Sequence, residues 1–291
     1  MVVIKLSGGI GNQLFQYAFG RSISLKYDIN VEFDIFFYNS NFNNVTKREL
    51  QLQKFNTQLT YFNSNKFIKY IYLNNNIPSK IKRIIYHPNY KYINESNFSD
   101  SLFHCKRTYY FDGYWQSEIF FNSYSKILRD ELTFNLDYTT DELRLINSIK
   151  SNNSISLHIR RGDYITNKKA FLHHGICSLE YYENAIQFFK NKFSNCKFYI
   201  FSDDINWAKM NLSIANDAIF INLNLNFKDL KELRLMSYCS NHIISNSSYS
   251  WWGAWLNPST SKIVIRPSPW FTLNKKIDSV ICPPNWLKFN I

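Results

Sequence analysis

Short apolar segments alternate with amphipathic segments through the second half of the chain, and this alternation strongly limits the folds available to it. Five segments have the composition typical of β-strands: 154–159, 197–201, 218–221, 242–245 and 263–265. The stretches between them favour helices. Strands that alternate with helices predict a parallel sheet with right-handed crossovers. We therefore predict an α/β fold for this half of the chain.

A similar pattern opens the chain. Residues 2–6 predict a buried strand, residues 8–13 a glycine-rich turn, residues 14–27 a helix and residues 31–35 a second strand. Between about 40 and 135 the polar and aromatic residues follow no clear period. The first half therefore also begins as an α/β unit.

The length of the chain allows two domains of ordinary size. It has 291 residues, and domains typically have 50–250. We place an N-terminal α/β domain at 1–140 and a Rossmann-like domain at 141–291. The tail, 283–291, is expected to pack back on the first domain.

The charge balance favours an anionic partner. The chain has 34 lysines and arginines against 22 acidic residues, a net charge of +12. Such a balance suits nucleic acid, an anionic membrane surface or a phosphate-bearing ligand. Residues 79–86 mix cations with apolar side chains, which predicts weak peripheral contact with anionic membrane. A merely basic, solvated surface is the alternative.

The cysteines and the hydropathy pattern predict a cytoplasmic protein. The five cysteines are odd in number and none is closely spaced with another, which argues against a disulfide framework or a zinc site. No run of 18 apolar residues predicts a transmembrane helix, and the first residues do not have the pattern of a signal peptide. A possible location is the inner face of the plasma membrane.

Unusual polar residues follow three of the predicted strands. Arg160, Arg161 and the residues after them follow the first, Asp203 and Asp204 follow the second, and 246–250 follow the fourth. In an open parallel sheet, ligands bind at the carboxyl ends of the strands. Guanidinium groups fixed at such an edge suit phosphate oxygens. The Arg-Gly-Asp triplet is also a cell-adhesion tripeptide, but short matches of that kind arise by chance.

The remaining polar residues at this edge each have two interpretations. Asp203 and Asp204 could bind a metal, but no third ligand stands at a suitable spacing, so capping of the next helix is favoured. The small residues of 246–250 either cap a helix or present N–H groups to a phosphate. His158 is either a core histidine or a ligand contact at the rim.

Two functional alternatives remain at this point. Gly9 and Gly11 match the first two glycines of a dinucleotide motif, which would indicate an NAD(P)-dependent oxidoreductase, but Leu14 occupies the third glycine position. The positive charge and the 18% aromatic content also fit a non-enzymatic RNA-binding protein. Against this, the basic residues do not cluster with aromatic residues in a repeated pattern.

Four segments together resemble the inverting α-1,2-fucosyltransferases of glycosyltransferase family 11. They are 8–20 (GGIGNQLFQYAFG), 113–121 (GYWQSEIFF), 158–164 (HIRRGDY) and 242–257 (HIISNSSYSWWGAWLN). The resemblance implies a GT-B-type fold of two Rossmann-like halves with parallel sheets. It also implies metal-independent transfer of L-fucose, without a cofactor, from GDP-β-L-fucose to the 2-hydroxyl of a terminal galactose.

The resemblance further implies the cellular context and the binding partners. The acceptor would be a galactose-terminated glycan or a lipid-linked oligosaccharide in the synthesis of a surface glycan such as O-antigen. The C-terminal half would bind the donor, and the N-terminal half would hold most of the acceptor. No nucleic acid is expected as a partner.

The same resemblance assigns roles to individual residues. Arg160 would hold the diphosphate, Glu232 would reach the guanine and Asn12 would lie near the reacting centre. Asp163 is either the base that takes the acceptor proton or a structural partner of the two arginines. The other donor-side residues would be His158, Arg161, Asp203, Ser247, Ser248 and Tyr249, and the acceptor-side residues Gly9, Gln13 and Trp115.

Overall fold

The chain forms two compact units in its computed structural model, Met1–Asn135 and Leu136–Ile291. The second unit therefore begins at Leu136 rather than at residue 141. The structure describes residues 1–39, 48–62, 90–95, 98–99, 108–162, 165, 171–172, 175–214, 217–223, 225–272 and 278–291.

The first unit is built on a parallel sheet with the strand order β2-β1-β4-β3. Its last two strands come from the region without a clear sequence period. The predicted turn is shorter than expected, because the helix α1 begins at Ile10, where the Asn12 and Gln13 amides already donate to the Gly9 carbonyl. The elements are β1 (Val2–Lys5), α1 (Ile10–Tyr27), β2 (Val31–Asp34), β3 (Tyr90–Ile93), β4 (Thr108–Phe111) and α2 (Ser125–Glu131), with short 3-10 helices at Leu52–Lys54, Glu118–Phe120 and Asn122–Tyr124.

A glycine inside α1 lets this helix lie close to the sheet. A Cβ on Gly20 would stand 2.8 Å from a side-chain carbon of Ile4 and 3.0 Å from the Phe33 ring. Leu14, at the third glycine position of the dinucleotide motif, is instead a fully buried core residue. The close helix–strand approach that the dinucleotide motif needs at that position is therefore made further along the helix.

The second unit contains a larger parallel sheet with the order β10-β9-β8-β5-β6-β7. All five predicted strands are present, and the helix after β8 begins at Ser248, inside the polar loop. The elements are α3 (Thr140–Lys150), β5 (Asn153–Ile159), α4 (Leu179–Lys192), β6 (Cys196–Ser202), α5 (Ile205–Asn211), β7 (Ala218–Phe220), α6 (Lys228–Tyr238), β8 (Asn241–Ile243), α7 (Ser248–Leu256), β9 (Val264–Ser268), α8 (Asp278–Ile281) and β10 (Leu287–Asn290).

The C-terminal tail joins the sheet of the second unit, and its packing on the first domain stays a prediction. β10 pairs in parallel with β9, with Leu287 opposite Ile265. Just before β10, the ring of Trp286 lies 5.4 Å from that of Trp251 in α7. The indole of Trp286 is buried, whereas the strand that follows it is largely exposed at the edge of the sheet.

A buried charge cluster fixes α6 against α3. The Glu142 carboxylate accepts from Lys231 Nζ at 2.9 Å and from Arg234 Nη2 at 2.5 Å, and it has no exposed surface. Arg234 also donates to the Leu136 carbonyl at 2.7 Å. Buried charges are tolerated when they are paired in this way. Lys231 and Arg234 flank Glu232 in sequence. The cluster therefore fixes α6, the helix that carries Glu232.

The predicted fold class is confirmed: each unit is α/β, Rossmann-like and built on parallel strands. Among the described residues, no helix combines the length and apolar character needed to cross a membrane. Residues 79–86, which carry the predicted membrane contact, lie outside the described part of the chain.

Candidate active site

The strand order of the second unit reverses between β5 and β8, so a crevice is expected between the ends of these two strands. From β5 the chain proceeds to β6 and β7 on one side, and then returns to build β8, β9 and β10 on the other. Ligands of open parallel sheets bind at the carboxyl ends of the strands where the order reverses. Arg160 leaves β5 at this point, and the loop 244–247 leaves β8.

Asp203 holds the first residues that follow β5. Its Oδ2 lies 2.9 Å from Arg160 Nη1, and its Oδ1 accepts from the Arg161 amide at 2.9 Å. The Arg160 side chain retains 25% of its exposure. A guanidinium has five N–H donors in a rigid fork, so one carboxylate can orient it while other donors serve an anion. The arrangement fixes a cation at the sheet edge.

Arg161 has a different environment from Arg160. Its Nε donates to Asp204 Oδ2 at 3.3 Å, and its guanidinium carbon lies 3.9 Å from the centroid of the Trp207 ring. Asp204 also caps α5 by accepting from the Trp207 amide at 3.1 Å. The predicted helix cap is therefore Asp204 and not Asp203. Arg161 braces the turn between β6 and α5.

Asp163 lies outside the described residues, so neither of its two predicted roles is tested. The described partners of the arginines are instead Asp203 and Asp204, more than 40 residues further along the chain. The sequence neighbourhood of Arg160 did not reveal them.

Gly162 is required by the position of the Asp203 carboxylate. A Cβ at residue 162 would stand 2.7 Å from Asp203 Oδ2 and 3.2 Å from its Cγ. We expect Gly162→Ala to displace this carboxylate from Arg160 and lower kcat by about tenfold, the value of one charge-assisted hydrogen bond. Steady-state glycosyl transfer, with thermal melting as the check of folding, measures the effect.

Two further variants test this expectation, one at the same contact and one as a control. Asp203→Asn removes the negative charge of the carboxylate itself and should lower kcat by a similar factor. Asp217→Asn breaks the Lys190–Asp217 ion pair, also 2.9 Å long but located at the start of β7, and should leave transfer unchanged. Normal turnover of a folded Gly162→Ala enzyme would contradict the assigned role of Asp203.

His158 joins the ends of β5 and β8. Its Nδ1 lies 2.8 Å from Ser245 Oγ, and its ring centroid lies 5.3 Å from that of Tyr249. Burial lowers the pKa of His158 to about 3, and the charge of Arg160 lowers it further. The imidazole is therefore neutral at physiological pH, and a base with so low a pKa accepts protons poorly.

The serines after β8 use their hydroxyls mainly within the loop. Ser247 caps α7 by accepting from the Tyr249 amide at 3.3 Å, and Ser245 lies 3.4 Å from Ser250 Oγ. Ser245, Ser247 and Ser250 are buried, whereas Ser248 and Tyr249 keep partial exposure. The capping interpretation therefore holds for Ser247, and Ser248 and Tyr249 offer more surface to a ligand.

Glu232 is a buried acid on α6. It is 7% exposed, and burial raises its pKa to about 7 against the opposing effect of Lys228, whose Nζ lies 3.7 Å away. Among the described residues, none donates a hydrogen bond to its Oε1. A buried carboxylate oxygen without a donor is costly, which points to a ligand that supplies one.

Tyr249 links this acid to Arg160. Burial raises the pKa of the Tyr249 hydroxyl, the charges of Glu232 and Asp229 raise it further, and the charge of Arg160 lowers it. Both Glu232 and Arg160 therefore lie close enough to the phenol to act on it. The phenol also donates to the Asp229 carbonyl at 2.5 Å. The charges of an acid and of a cation thus both act on this phenol.

Two of the predicted acceptor-side residues of the first unit are structural. Gln13 has no exposed surface and donates to the Gly8 and Glu49 carbonyls at 3.2 and 2.8 Å. Trp115 is also fully buried, with its ring stacked 4.0 Å from Phe19. Neither side chain has exposed surface, and their assignment as acceptor contacts stays a prediction from the resemblance.

Asn12 and Gly9 remain compatible with a ligand nearby. Asn12 Oδ1 accepts from Gln116 Nε2 at 2.8 Å, and Asn12 keeps partial exposure. A Cβ on Gly9 would meet nothing within 4 Å, so there is open space beside this residue. The structure adds Gln116 as a residue that sequence reasoning missed, although it lies within the quoted segment 113–121.

No described group of three or more histidine, cysteine, aspartate or glutamate side chains is arranged to hold a metal ion. Asp203 and Asp204, the pair considered from sequence, face arginines instead. The requirement for metal stays a matter for experiment.

Comparison with known proteins identifies the family to which this chain belongs. The sequence profile described as Glycosyl transferase family 11 matches residues 1–289. The chain belongs to glycosyltransferase family 11. Family membership favours a glycosyltransferase over the oxidoreductase and RNA-binding alternatives.

Two family 11 relatives from Escherichia coli match along almost their whole length. The chain is 35% identical to a protein named alpha-1,2-colitosyltransferase, over 99% of this chain and 98% of that protein. It is 33% identical to the O-antigen biosynthesis glycosyltransferase WbnK, over 97% of this chain and 98% of that protein.

A solved structure resembles this chain in fold at much lower sequence identity. The structure of Arabidopsis thaliana FUT1 in complex with GDP matches with a TM-score of 0.50 and 11% identity, over 97% of this chain and 74% of that chain. At this identity the likeness extends to the fold alone.

Proposed function

We propose that this family 11 glycosyltransferase moves L-fucose from GDP-β-L-fucose to the 2-hydroxyl of a terminal galactose, with inversion and without a metal. The observation that carries the proposal is the Arg160 guanidinium, fixed by Asp203 directly after β5, together with the buried Glu232 carboxylate on α6. A fixed cation can hold a diphosphate, and a buried carboxylate with one oxygen that accepts no hydrogen bond from the described residues can bind a base.

Guanine is the base that suits Glu232. Its Watson–Crick edge presents a ring N–H and an exocyclic amine side by side, and a carboxylate can accept from both. Adenine and uracil do not present that pair of donors. Desolvation of Glu232, which raises its pKa, is offset when those donors arrive.

The chemistry assigns Arg160 to the leaving group. Glycosyl transfer passes through a cation-like sugar while negative charge builds on the departing diphosphate. A guanidinium already oriented by Asp203 stabilises that charge without reorganising, so it helps more in the transition state than before it. Direct displacement by the galactose hydroxyl inverts the anomeric centre and needs no covalent intermediate.

The proton of the acceptor hydroxyl must leave during transfer. We retain Asp163 as the proposed base, because it follows Arg160 by three residues and the described acids at the crevice have other roles. Asp203 is paired with Arg160, and Asp204 caps α5 and meets Arg161. Asn12 is proposed to lie near the reacting centre.

A colitose donor is the second candidate. It is supported by the 35% identity to a protein named alpha-1,2-colitosyltransferase. Colitose lacks one ring hydroxyl of fucose, so the two donors differ in a single hydrogen-bonding group.

The similarity to WbnK, named for O-antigen biosynthesis, supports a surface glycan as the product. A cytoplasmic enzyme acting on lipid-linked oligosaccharide, with peripheral membrane contact, fits that product.

A direct comparison of donors tests the function. The purified enzyme is incubated with GDP-fucose or GDP-colitose and a set of galactose-terminated oligosaccharides, and products are identified by mass spectrometry and NMR. An α-linked fucose on the galactose 2-hydroxyl supports the first candidate, and an α-linked colitose supports the second. Absence of transfer from either GDP-sugar, with activity from a UDP-sugar, would overturn both.

We expect transfer to continue in the presence of a strong chelator. The Arg160 guanidinium supplies the positive charge that a metal otherwise supplies at the diphosphate. Initial rates with and without the chelator should agree within about twofold. A loss of activity that Mg²⁺ or Mn²⁺ restores would contradict the metal-free mechanism.

A further inference from the structure

By the same rule, a crevice is expected in the first unit between the ends of β1 and β4. Its strand order, β2-β1-β4-β3, reverses between these two strands, as in the second unit between β5 and β8. Two contacts tie the segments there together: Lys5 Nζ lies 3.0 Å from Asp112 Oδ1, and Gln16 Nε2 donates to the Gly113 carbonyl at 3.0 Å. The loop that leaves β4 therefore borders a position where parallel sheets bind ligands.

This loop holds a bulky residue in an unfavourable backbone conformation. Trp115 has a φ of 57°, in the left-handed region that tryptophan rarely adopts. Glu95 Oε1 accepts from the amides of both Tyr114 and Trp115, at 2.6 and 2.5 Å, and the Trp115 ring stacks on Phe19. A strained residue that its surroundings fix so firmly is a pointer to function.

The consequence of the strain is the placement of the two neighbouring side chains. With Trp115 turned into the core, Tyr114, three residues after the end of β4, stays 48% exposed. Gln116 donates through Nε2 to Asn12 Oδ1 at 2.8 Å. The open aromatic ring and the Gln116 amide thus lie two residues apart on this loop, and the second amide, that of Asn12, comes from the first turn of α1.

These groups fit one chemical class of ligand, a pyranose. A pyranose has a face of C–H bonds that packs on an aromatic ring and an edge of hydroxyls that pairs with amides. Arginines or lysines would be needed instead to hold a phosphate, and Lys5, the cation at this edge, is already paired with Asp112. The ring and the amides therefore favour a neutral sugar.

We infer that Tyr114 is the stacking platform for the acceptor galactose and that the Gln116–Asn12 pair binds its hydroxyls. The inference rests on the proposed function, in which galactose is the acceptor. It differs from the expectation drawn from sequence, which placed Trp115 on the acceptor side. The two residues are adjacent, and the left-handed turn decides which of them faces the ligand.

Binding of methyl β-D-galactopyranoside to the full chain tests this inference directly. Saturation-transfer NMR titrations compare the wild type with Tyr114→Ala, Tyr114→Phe and Gln116→Met. We expect Tyr114→Ala to weaken binding by about tenfold, Tyr114→Phe to retain it because the ring remains, and Gln116→Met to weaken it several-fold. Tyr61→Ala, at another exposed tyrosine of the same unit, should leave binding unchanged.

The binding of GDP, titrated in the same samples, separates this inference from the proposed function. GDP affinity should be equal in the wild type and all these variants. Galactoside binding that is absent from the wild type, or that persists unchanged in a folded Tyr114→Ala protein, overturns the platform even if GDP binds. Galactoside binding lost in Tyr114→Ala, in a protein that binds no GDP, would support the platform and count against the proposed donor.

Discussion

Replacing Arg160 with alanine should lower the turnover of glycosyl transfer by at least about a hundredfold. Arg160 is the first residue after β5, at the point where the strand order reverses, and Asp203 fixes its guanidinium at 2.9 Å. Loss of a preorganised charge that meets the leaving diphosphate costs on the order of 3 kcal/mol in the transition state. At about 1.4 kcal/mol per factor of ten, this gives the expected loss.

Two further variants separate geometry from charge. Arg160→Lys keeps the charge but loses the planar fork, so we expect most of the activity to disappear as well. Arg144→Ala removes an arginine whose side chain is 76% exposed and whose partner is Asp141, and should leave turnover unchanged. Single-turnover rates and melting temperatures are measured for each. Near-normal turnover of a folded Arg160→Ala enzyme would show that this residue does not hold the diphosphate.

The second large effect is expected at Glu232, in the binding of GDP. The carboxylate must be ionised to accept from guanine, and its pKa is about 7 in the folded protein. The dissociation constant of GDP should therefore rise about tenfold for each pH unit below 7 and level off above it. Glu232→Gln should bind GDP about 30- to 100-fold more weakly at pH 8, because a charged acceptor is lost.

The same variant should be more stable than the wild type. The pKa of Glu232 rises from an ordinary value near 4.5, so between about 4.5 and 7 the unfolded state holds fewer protons than the folded state. The free energy of unfolding then falls as the pH rises through that window. Above pH 7, Glu232→Gln should be more stable by on the order of 2 kcal/mol, because it removes a buried charge.

Isothermal titration with GDP and chemical denaturation at several pH values measure both effects. The terminal phosphate of GDP also titrates and changes GDP binding in both proteins. The pH dependence of GDP affinity in Glu232→Gln measures this contribution, which is then subtracted from that of the wild type. Glu183→Gln, on the exposed face of α4, is the matched control and should change neither quantity. A GDP affinity that is the same in Glu232→Gln and wild type would exclude Glu232 as the base-binding group.

Much of the second unit could be predicted because its signals are local. A run of β-prone residues followed by a polar turn and an amphipathic stretch defines a strand and a helix within about 30 residues. The five predicted strands were found for this reason, and Arg160 was placed correctly at the end of one of them. The short strands β3 and β4 were missed, because four residues carry too little pattern amid many aromatic ones.

The sequence by itself determined the α/β class, the parallel strands and the polar residues at their carboxyl ends, because each depends on neighbouring residues. Only the tertiary structure decided which groups meet. Asp203 reaches Arg160 across a gap of 43 residues, because β5 and β6 are adjacent in the sheet. Trp115 turns inward and leaves Tyr114 exposed because Glu95, from the end of β3, holds both of their amides. Strand order and backbone turns bring distant residues together, and no local pattern records them.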